Sequence, residues 1–461
     1  MKIIYRAFVC CFVISCMVFI WIAVNCIDED LKHDVAAAID IEIVKDINNA
    51  YFDLVPLVAE DSEVLRDLWE TEKFTNHIFG YEWDEEYVKK TISDKKKYLG
   101  IIDKVISKTK IQYPINDDPY YISPYMNILY LNRLVILSSM EKVNSGYIGD
   151  SINDIRKAIQ FSQRIKNKAD SNLINYMIAL RLEYDALKWV QTLVSDYEVN
   201  PEDLRRFIAV LEEIPDLKNS SFPQVFYGEF RFAYKLMGYP LKLSFQERKE
   251  YLSQAGTIEL LDDDFSFKDK TDNDKLFDDM QVILPWYYIH PNQSANKMFY
   301  KYKNYANRAA GFCGKKEDET NIQKNEFEFM DFITPNSTGK IWEESITSFE
   351  GYYQKNCLAH VYLEGLKLTI FIKQYKNKTG YLPNSLQDLV PEYLSEIPKD
   401  PFGGKPLKYS KQDQWVYSVG ANLQDNGGSG ESEYNHSCID DELCANNPTI
   451  SLSSSSHALR L

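Results

Sequence analysis

The chain has 461 residues, a formal net charge of −16 and a hydrophobic content of 45%. This length allows two or three domains, and the apolar content excludes a chain that is disordered throughout. The negative charge argues against nucleic acid as a partner, because an acidic surface repels phosphates.

The amino end predicts a membrane anchor. Residues 7–27 carry no charged side chain and would form a helix about 30 Å long, which matches the hydrocarbon core of a bilayer. Lys2 and Arg6 precede this span, and three acidic residues follow it at 28–30. Positive charge before the span and acid after it orient the amino end to the cytoplasm. We therefore expect residues 1–27 to be a cytoplasmic stub with a transmembrane anchor.

This topology predicts a single-pass protein of a bacterial inner membrane, with lipid as a partner of residues 7–27 and the carboxyl-terminal bulk in the periplasm. Two alternatives stay open: a cleaved signal peptide, and a lipoprotein processed at Cys16. We favour a retained anchor because no small-x-small cleavage site precedes the acids. Processing at Cys16 would also leave residues 17–24 as an apolar stump.

Residues 35–310 predict an irregular α-helical domain. The clearest helix follows Asn200, a good N-cap residue, and Pro201, which suits the first helical position. Leu204, Phe207 and Leu211 then share one face. Residues 171–194 are apolar over a wider arc and predict a central helix. We find no fixed repeat of the solenoid type.

The last third of the chain divides into four segments. Residues 311–345 are polar without periodicity and predict a linker or long loop. A long helix is expected over 348–376, ending before Gly380, which suits the left-handed position past a last turn. It opens a small α+β domain over 346–444. Residues 445–461 are serine-rich and predict a disordered tail.

The stretch "IPKDPFGGKPLKYS" at 397–410 predicts a helix-to-hairpin corner. Before it, Asn384 or Ser385 caps a short helix that ends near Leu389. Asp400 precedes a proline, which favours a tight turn. Gly403 and Gly404 are expected to supply positive φ. Alternating apolar residues at 407–409 and 415–419 then predict a small antiparallel pair.

These elements resemble the carboxyl-terminal half of the major pseudopilin of type II secretion. The motifs that carry the resemblance are "GYLP", "LQDLVP", "PKDPFGG" and "SVGANLQDNGG", within residues 353–428. This chain departs from the family at its amino end, which lacks the leader-peptidase site, so we expect no pseudopilus assembly by the family's mechanism. The whole chain resembles membrane-anchored bacterial envelope proteins with such a tail. The expected fold class is mainly α: a transmembrane helix, an irregular helical domain and a pseudopilin-like α+β domain with a short antiparallel sheet.

The pseudopilin resemblance implies a calcium ion in the loop after the second strand. Asn422 occupies the family's aspartate position, and Asp425 follows it. Residues 412–459 also contain several acids and no Lys or Arg, and hard cations prefer oxygen ligands. The candidate ligands are Asn422, Asp425, Asp440 and Asp441, with calcium as the candidate cofactor. The alternative is a solvated acidic loop.

The cysteines of the exported part offer a further constraint. Cys313, Cys357, Cys438 and Cys444 make an even number in an oxidising compartment, which predicts disulfides, although four free thiols stay an alternative. Cys357 also shares a helix face with His360 and Glu364. We favour core packing or a disulfide to Cys313 over a metal site there.

No catalytic constellation is recognisable in the sequence. We therefore expect a binding or structural module of the envelope, with a secretion-related role and an envelope protein as partner, and we name no catalytic residue. The alternative function is an envelope hydrolase with an acidic groove in the helical domain, which would show converging carboxylates in a deep pocket.

Overall fold

The structure is a computed structural model, and it describes residues 2–40, 44–58, 65–112, 125–167, 172–255, 283–309, 313, 334–344, 349–428 and 448–452. The described chain is mainly α-helical with one small antiparallel sheet, as predicted. The helices are α1 Lys2–Val24, α2 His33–Ile39, α3 Tyr51–Val58, α4 Arg66–Trp69, α5 Glu72–Ile78, α6 Glu85–Asp94, α7 Lys96–Ser107, α8 Tyr125–Asn144, α9 Ile148–Lys166, α10 Leu173–Asp196, α11 Pro201–Leu211, α12 Phe222–Lys242, α13 Phe245–Ala255, α14 Pro285–Tyr288, α15 Pro291–Ala309, α16 Ser337–Glu344 and α17 Glu350–Thr379.

The predicted helical domain contains two hydrophobic cores. The first lies among α8, α9 and α10, with α3–α7 and α11 around them. Helix α10 is buried over a wide arc, as its apolar sequence predicts. Helix α11 begins as expected, because the Asn200 side chain accepts a hydrogen bond from the Asp203 backbone N–H.

The second core is aromatic and lies between α12 and α15. Phe226 and Phe230 of α12 contact Tyr305 and Phe299 of α15, respectively. Phe226 also stacks on Tyr353, near the start of α17. This core therefore joins the helical region to the first turns of the long helix.

Helix α17 is buried on more than one side. Leu363, Leu366 and Ile370 belong to the first helical core, while Val361 and Leu368 belong to a third core beneath the sheet. A helix that is apolar around most of its circumference must be covered around most of it. The carboxyl-terminal α+β segment thus shares its main helix with the helical region, and α17 contributes to both cores.

The sheet has three short antiparallel strands in the order β1 Lys408–Ser410, β2 Trp415–Tyr417 and β3 Thr449–Ser451. The hairpin of β1 and β2 confirms the predicted pair, with Tyr409 opposite Val416. Strand β3 corrects the expectation of a disordered tail, because Ile450 is opposite Val416 and is buried against α17. A third strand is what gives so small a sheet stability. Residues 453–461 lie outside the described residues.

The predicted linker also contains ordered structure. Helix α16 lies within the segment 311–345 and packs against α15. Cys313 is disulfide-bonded to Cys357, which is one of the two structural roles predicted for Cys357. The backbone N–H of Cys313 donates to the carbonyl oxygen of Pro401. The linker interpretation is therefore wrong for residues 337–344, since polar composition alone does not preclude a helix that packs on a neighbour.

The amino-terminal helix α1 spans Lys2–Val24, and its side chains are described from Phe12 onward. Among the helices of the described residues, none meets both the length and the hydropathy needed to cross a membrane.

Candidate functional site

The corner before the sheet is organised by Asp400, a buried carboxylate. Its oxygens accept hydrogen bonds from the backbone N–H groups of Phe402 and Val419 and from the hydroxyl of Ser418. Its own backbone N–H donates to the carbonyl oxygen of Lys405. Because three donors satisfy the buried charge, Asp400 fixes the corner to the end of β2.

The two glycines of the corner serve different purposes. Gly404 has a φ of 67°, as predicted. Gly403 does not have a positive φ, which corrects that expectation. A Cβ on Gly403 would lie 2.9 Å from Cγ2 of Val419, so this position needs glycine because another chain segment approaches it closely.

The loop after β2 is a run of tight turns. Gly420, Leu423, Gly427 and Gly428 all have positive φ. The Asn422 side-chain oxygen accepts a hydrogen bond from the Gln424 backbone N–H, which is the geometry of an Asx turn. Asn422 therefore shapes the loop in this structure.

Asp425 forms an ion pair that the sequence reasoning missed. Its Oδ2 lies 2.7 Å from Nζ of Lys408, and its Oδ1 accepts hydrogen bonds from the Tyr417 hydroxyl and the Gly427 backbone N–H. The hydrogen bond from Lys408 holds the pKa of Asp425 below its ordinary value. Although residues 412–459 contain no cation, the antiparallel pairing of β1 with β2 supplies one from the neighbouring strand.

These contacts bear on the candidate calcium site. Both oxygens of Asp425 are engaged by protein donors, and the Asn422 oxygen is engaged by a backbone amide. Asp440 and Asp441 lie outside the described residues, as do Cys438 and Cys444. Within the described part of the chain, no group of three or more His, Cys, Asp or Glu side chains is arranged to hold a metal ion. The two described ligands alone do not fit calcium, which needs about six to eight oxygens.

The other metal candidate on α17 has different partners. Cys357 is bonded to Cys313 and has no thiolate to offer a metal. Glu364 forms an ion pair with Lys367, and burial lowers the pKa of His360. Because His360 is neutral and its neighbours form a disulfide and an ion pair, these contacts agree with core packing of this face of α17.

The buried carboxylates of the helical region are paired with protein donors. Asp185 contacts both Arg133 and Arg181, and Glu183 contacts Lys166. Asp185 and Glu183 therefore form ion pairs within the protein, and these contacts do not leave them available as an acid–base pair for a substrate.

Glu229 of α12 is a partly buried carboxylate that faces the start of α10. It accepts a hydrogen bond from the Leu173 backbone N–H, in the first turn of α10. Burial raises the pKa of Glu229 to about 7. The helix amide favours the charged form, but it offsets the desolvation only in part.

A second region of interest lies where the chain leaves α1. The Asp28 carboxylate accepts hydrogen bonds from the backbone N–H groups of Asn292 and Gln293, at the start of α15. Asn296 binds the same segment through the Glu29 carboxylate and the Lys32 backbone N–H. Asp28, one of the acidic residues from which the topology is predicted, therefore also caps α15. In the sequence, the local signal for this helix start is Pro291, and nothing near it points to Asp28 as the cap.

Apolar contacts extend this junction onto the last turn of α1. The rings of Trp21 and Tyr287 lie 5.7 Å apart. Ile22 and Cys26 pack against a small cluster formed by Tyr287, Tyr288 and Ile289. The body of the protein thus touches the helix itself as well as the segment that follows it.

His290 has a structural role in the same loop. Its backbone N–H donates to the Asn336 side-chain oxygen, and its ring Nε2 is 2.9 Å from the carbonyl oxygen of Trp286. Asn336 also donates to Gln293 and Ser294. These bonds hold the loop before α15 in place.

Comparisons with protein-family models, curated proteins and solved structures found no match.

Proposed function

We propose that the protein is a single-pass envelope protein, anchored in a bacterial inner membrane by residues 7–27, with its body in the periplasm. Its role is binding or structural: the body carries a pseudopilin-like tail and works with an envelope protein partner in a secretion-related process.

The observation that carries the proposal is the surface of α1. Its described side chains include Phe12, Ile14, Phe19, Ile20 and Val24, all apolar and exposed. Burying such side chains in hydrocarbon is favourable by roughly 1.5–3 kcal/mol each, so water is an unfavourable surrounding for them. A lipid bilayer would cover all of these faces at once.

The disulfide between Cys313 and Cys357 supports the compartment. Disulfides persist in oxidising surroundings such as the bacterial periplasm and are rare in a reducing cytosol. Cys16 and Cys26, in and just after α1, are free thiols. The disulfide in the body is therefore the observation that favours a compartment outside the cytoplasm.

Membrane extraction and protease protection test the proposal together. The full chain, produced in a Gram-negative host, should stay in the membrane pellet after alkaline carbonate treatment. Protease added to spheroplasts should digest the body while cytoplasmic markers stay intact. A full-length chain in the soluble fraction, or a body protected in intact spheroplasts, would contradict the proposal.

A paired substitution sharpens the extraction test. Phe19→Asp with Ile20→Asp should release the protein, because each aspartate costs about 2.5–3.5 kcal/mol near the centre of a membrane helix. The matched control, Phe19→Leu with Ile20→Leu, should stay in the pellet. Equal retention of both variants would indicate that the body, and not α1, attaches the protein to the membrane.

The hydrolase alternative gains no support from the described buried carboxylates. Asp185 and Glu183 are neutralised by Arg133, Arg181 and Lys166. Burial raises the pKa of Glu229 to about 7, but a hydrolase would need a second carboxylate converging with it in a pocket. The binding or structural role is therefore the proposal.

A further inference from the structure

Three large apolar side chains are exposed close to the end of α1. Phe245 is 58% exposed, Ile283 is 63% exposed and Trp286 is 55% exposed. We call these residues the juxtamembrane patch. Phe245 begins α13, Ile283 precedes α14, and Trp286 lies within α14.

Arg248 connects the two parts of the patch. Its guanidinium lies 5.7 Å from the centre of the Trp286 ring, and its Nε donates to the carbonyl oxygen of Pro240. Phe245 lies three residues before Arg248 on α13, one turn away. Arg248 is itself buried, and its cation–π contact favours this position of the Trp286 ring at the surface.

The patch lies beside the last turn of α1. Trp286 is followed directly by Tyr287, whose ring contacts Trp21. Leu284, on the other side of Trp286, packs into the same small cluster as Ile22 and Cys26. Trp21 and Ile22 lie within about one turn of Val24, the residue at which α1 ends.

We propose that the juxtamembrane patch inserts into the headgroup layer of the outer leaflet of the bilayer that holds α1. This inference rests on the proposed function, since it requires α1 to cross that bilayer. The last turn of a spanning helix lies at the interface, and tryptophan is enriched there because its ring is apolar and its N–H is polar. Trp286 is adjacent in the chain to Tyr287, whose buried ring contacts the exposed Trp21 of α1, and so the lipid around the last turn of α1 is the occupant that would cover the patch.

Insertion would fix the angle of the body to the membrane. A single helix followed by a flexible chain would leave the body free to tilt. Here Asp28 ties the chain to α15, and the patch would add a second point of attachment.

Fluorescence quenching by brominated lipid tests the inference on the full chain. The protein is reconstituted in vesicles of phosphatidylethanolamine and phosphatidylglycerol, with or without bromine on the upper acyl carbons. Subtracting the spectrum of Trp286→Phe isolates the Trp286 emission, and Trp21→Phe isolates that of Trp21. Trp83→Phe supplies the matched control, because Trp83 is exposed and contacts His77 of α5, in a different part of the molecule.

We expect brominated lipid to quench the Trp286 emission at least twofold and to leave the Trp83 emission unchanged. Quenching of Trp21 without Trp286 would overturn the inference and leave the anchor intact. No quenching of either residue would overturn the proposed function as well. Quenching of Trp83 equal to that of Trp286 would also overturn the inference, because it would indicate non-specific contact of the body with lipid.

Discussion

Gly403 and Gly404 allow the corner to be tested one residue at a time. Gly403→Ala should destabilise the tail by about 1–3 kcal/mol, because the added Cβ overpacks against Val419. Adding Val419→Ala should recover part of that loss, since the smaller side chain makes room. Chemical denaturation of the four proteins in a double-mutant cycle measures the coupling.

Gly404→Ala is the matched comparison. Its cost of about 1 kcal/mol would come from a φ of 67°, and Val419→Ala should not reduce it. If Val419→Ala rescues both glycine variants equally, or neither, the steric explanation for Gly403 is wrong.

The pair of Lys408 and Asp425 provides the second prediction. Asp425→Asn and Lys408→Met should each lower stability, and the coupling between them should be about 0.2–1 kcal/mol, since both side chains are partly exposed. Thermal unfolding at low and high salt measures the coupling, which should shrink as salt screens it.

The same variants examine the calcium prediction. Calcium in this loop stays a prediction, which needs Asp440 and Asp441 to complete the site. In that case 5 mM calcium should raise the melting temperature of the parent, and Asp425→Asn should remove most of the rise. Equal melting temperatures in calcium and in chelator would leave the loop as solvated surface.

Glu229 predicts a pH dependence. The pKa of Glu229 is raised from 4.5 to about 7 by burial, so the folded state binds a proton more tightly than the unfolded state does. The contribution of Glu229 to the free energy of unfolding should therefore be highest below pH 4.5. It should fall as the pH rises from about 4.5 to about 7, and then level off.

Glu229→Gln should remove this fall and raise stability at pH 8 by on the order of 2 kcal/mol, because the amide oxygen still accepts from Leu173 without a charge. Denaturant titrations at pH 5, 6, 7 and 8 measure the effect. Glu212→Gln, at an exposed position, is the control. Parallel pH profiles for the parent and Glu229→Gln would contradict the prediction.

At the scale of elements, α17 is the one that joins the parts of the molecule. Its residues Leu363, Leu366 and Ile370 are buried in the first helical core, and Ile450 of β3 packs over Gly365 on another side. A Cβ on Gly365 would lie 2.4 Å from Cδ1 of Ile450, so the strand and the helix approach as closely as glycine allows. Neither the helix nor the sheet is complete without its neighbours.

We therefore expect the isolated segment 345–446 not to unfold cooperatively. It exposes the three apolar residues of α17 and lacks β3, leaving a two-stranded hairpin that is marginal by itself. Circular dichroism during heating should show a broad change instead of a sigmoid. The full chain, measured in detergent, is the control, and a sharp transition for the segment would show that the tail is an independent domain.

At the scale of the whole molecule, the disulfide closes a loop with a sequence separation of 44. It ties Cys313, after α15, to Cys357 in the first third of α17. In the chain-entropy model such a loop contributes about 4 kcal/mol as an upper value. We expect Cys313→Ala to lower the melting temperature of the oxidised protein.

Reduction provides the control for that variant. A thiol reductant should lower the melting temperature of the parent toward that of Cys313→Ala and should have little effect on the variant. An equal effect of reductant on both proteins would mean that another disulfide carries the stabilisation.

Local patterns in the sequence predicted most of the individual elements. The cap and apolar face of α11 and the glycine after α17 are correct, because each depends on residues within a few positions of one another. The corner at Asp400 and the hairpin of β1 and β2 were predictable for the same reason. The expected membrane span stays a prediction.

The tertiary structure alone decided how these elements combine. Strand β3 has only three residues and carries no periodic signal, so its pairing depends on the surface that β2 and α17 offer. Lys408 reaches Asp425 only because the hairpin reverses the chain, and Asp28 caps a helix that begins 263 positions later, at Pro291. A sequence pattern reports which face of an element is buried, but the identity of the covering surface depends on the path of the whole chain.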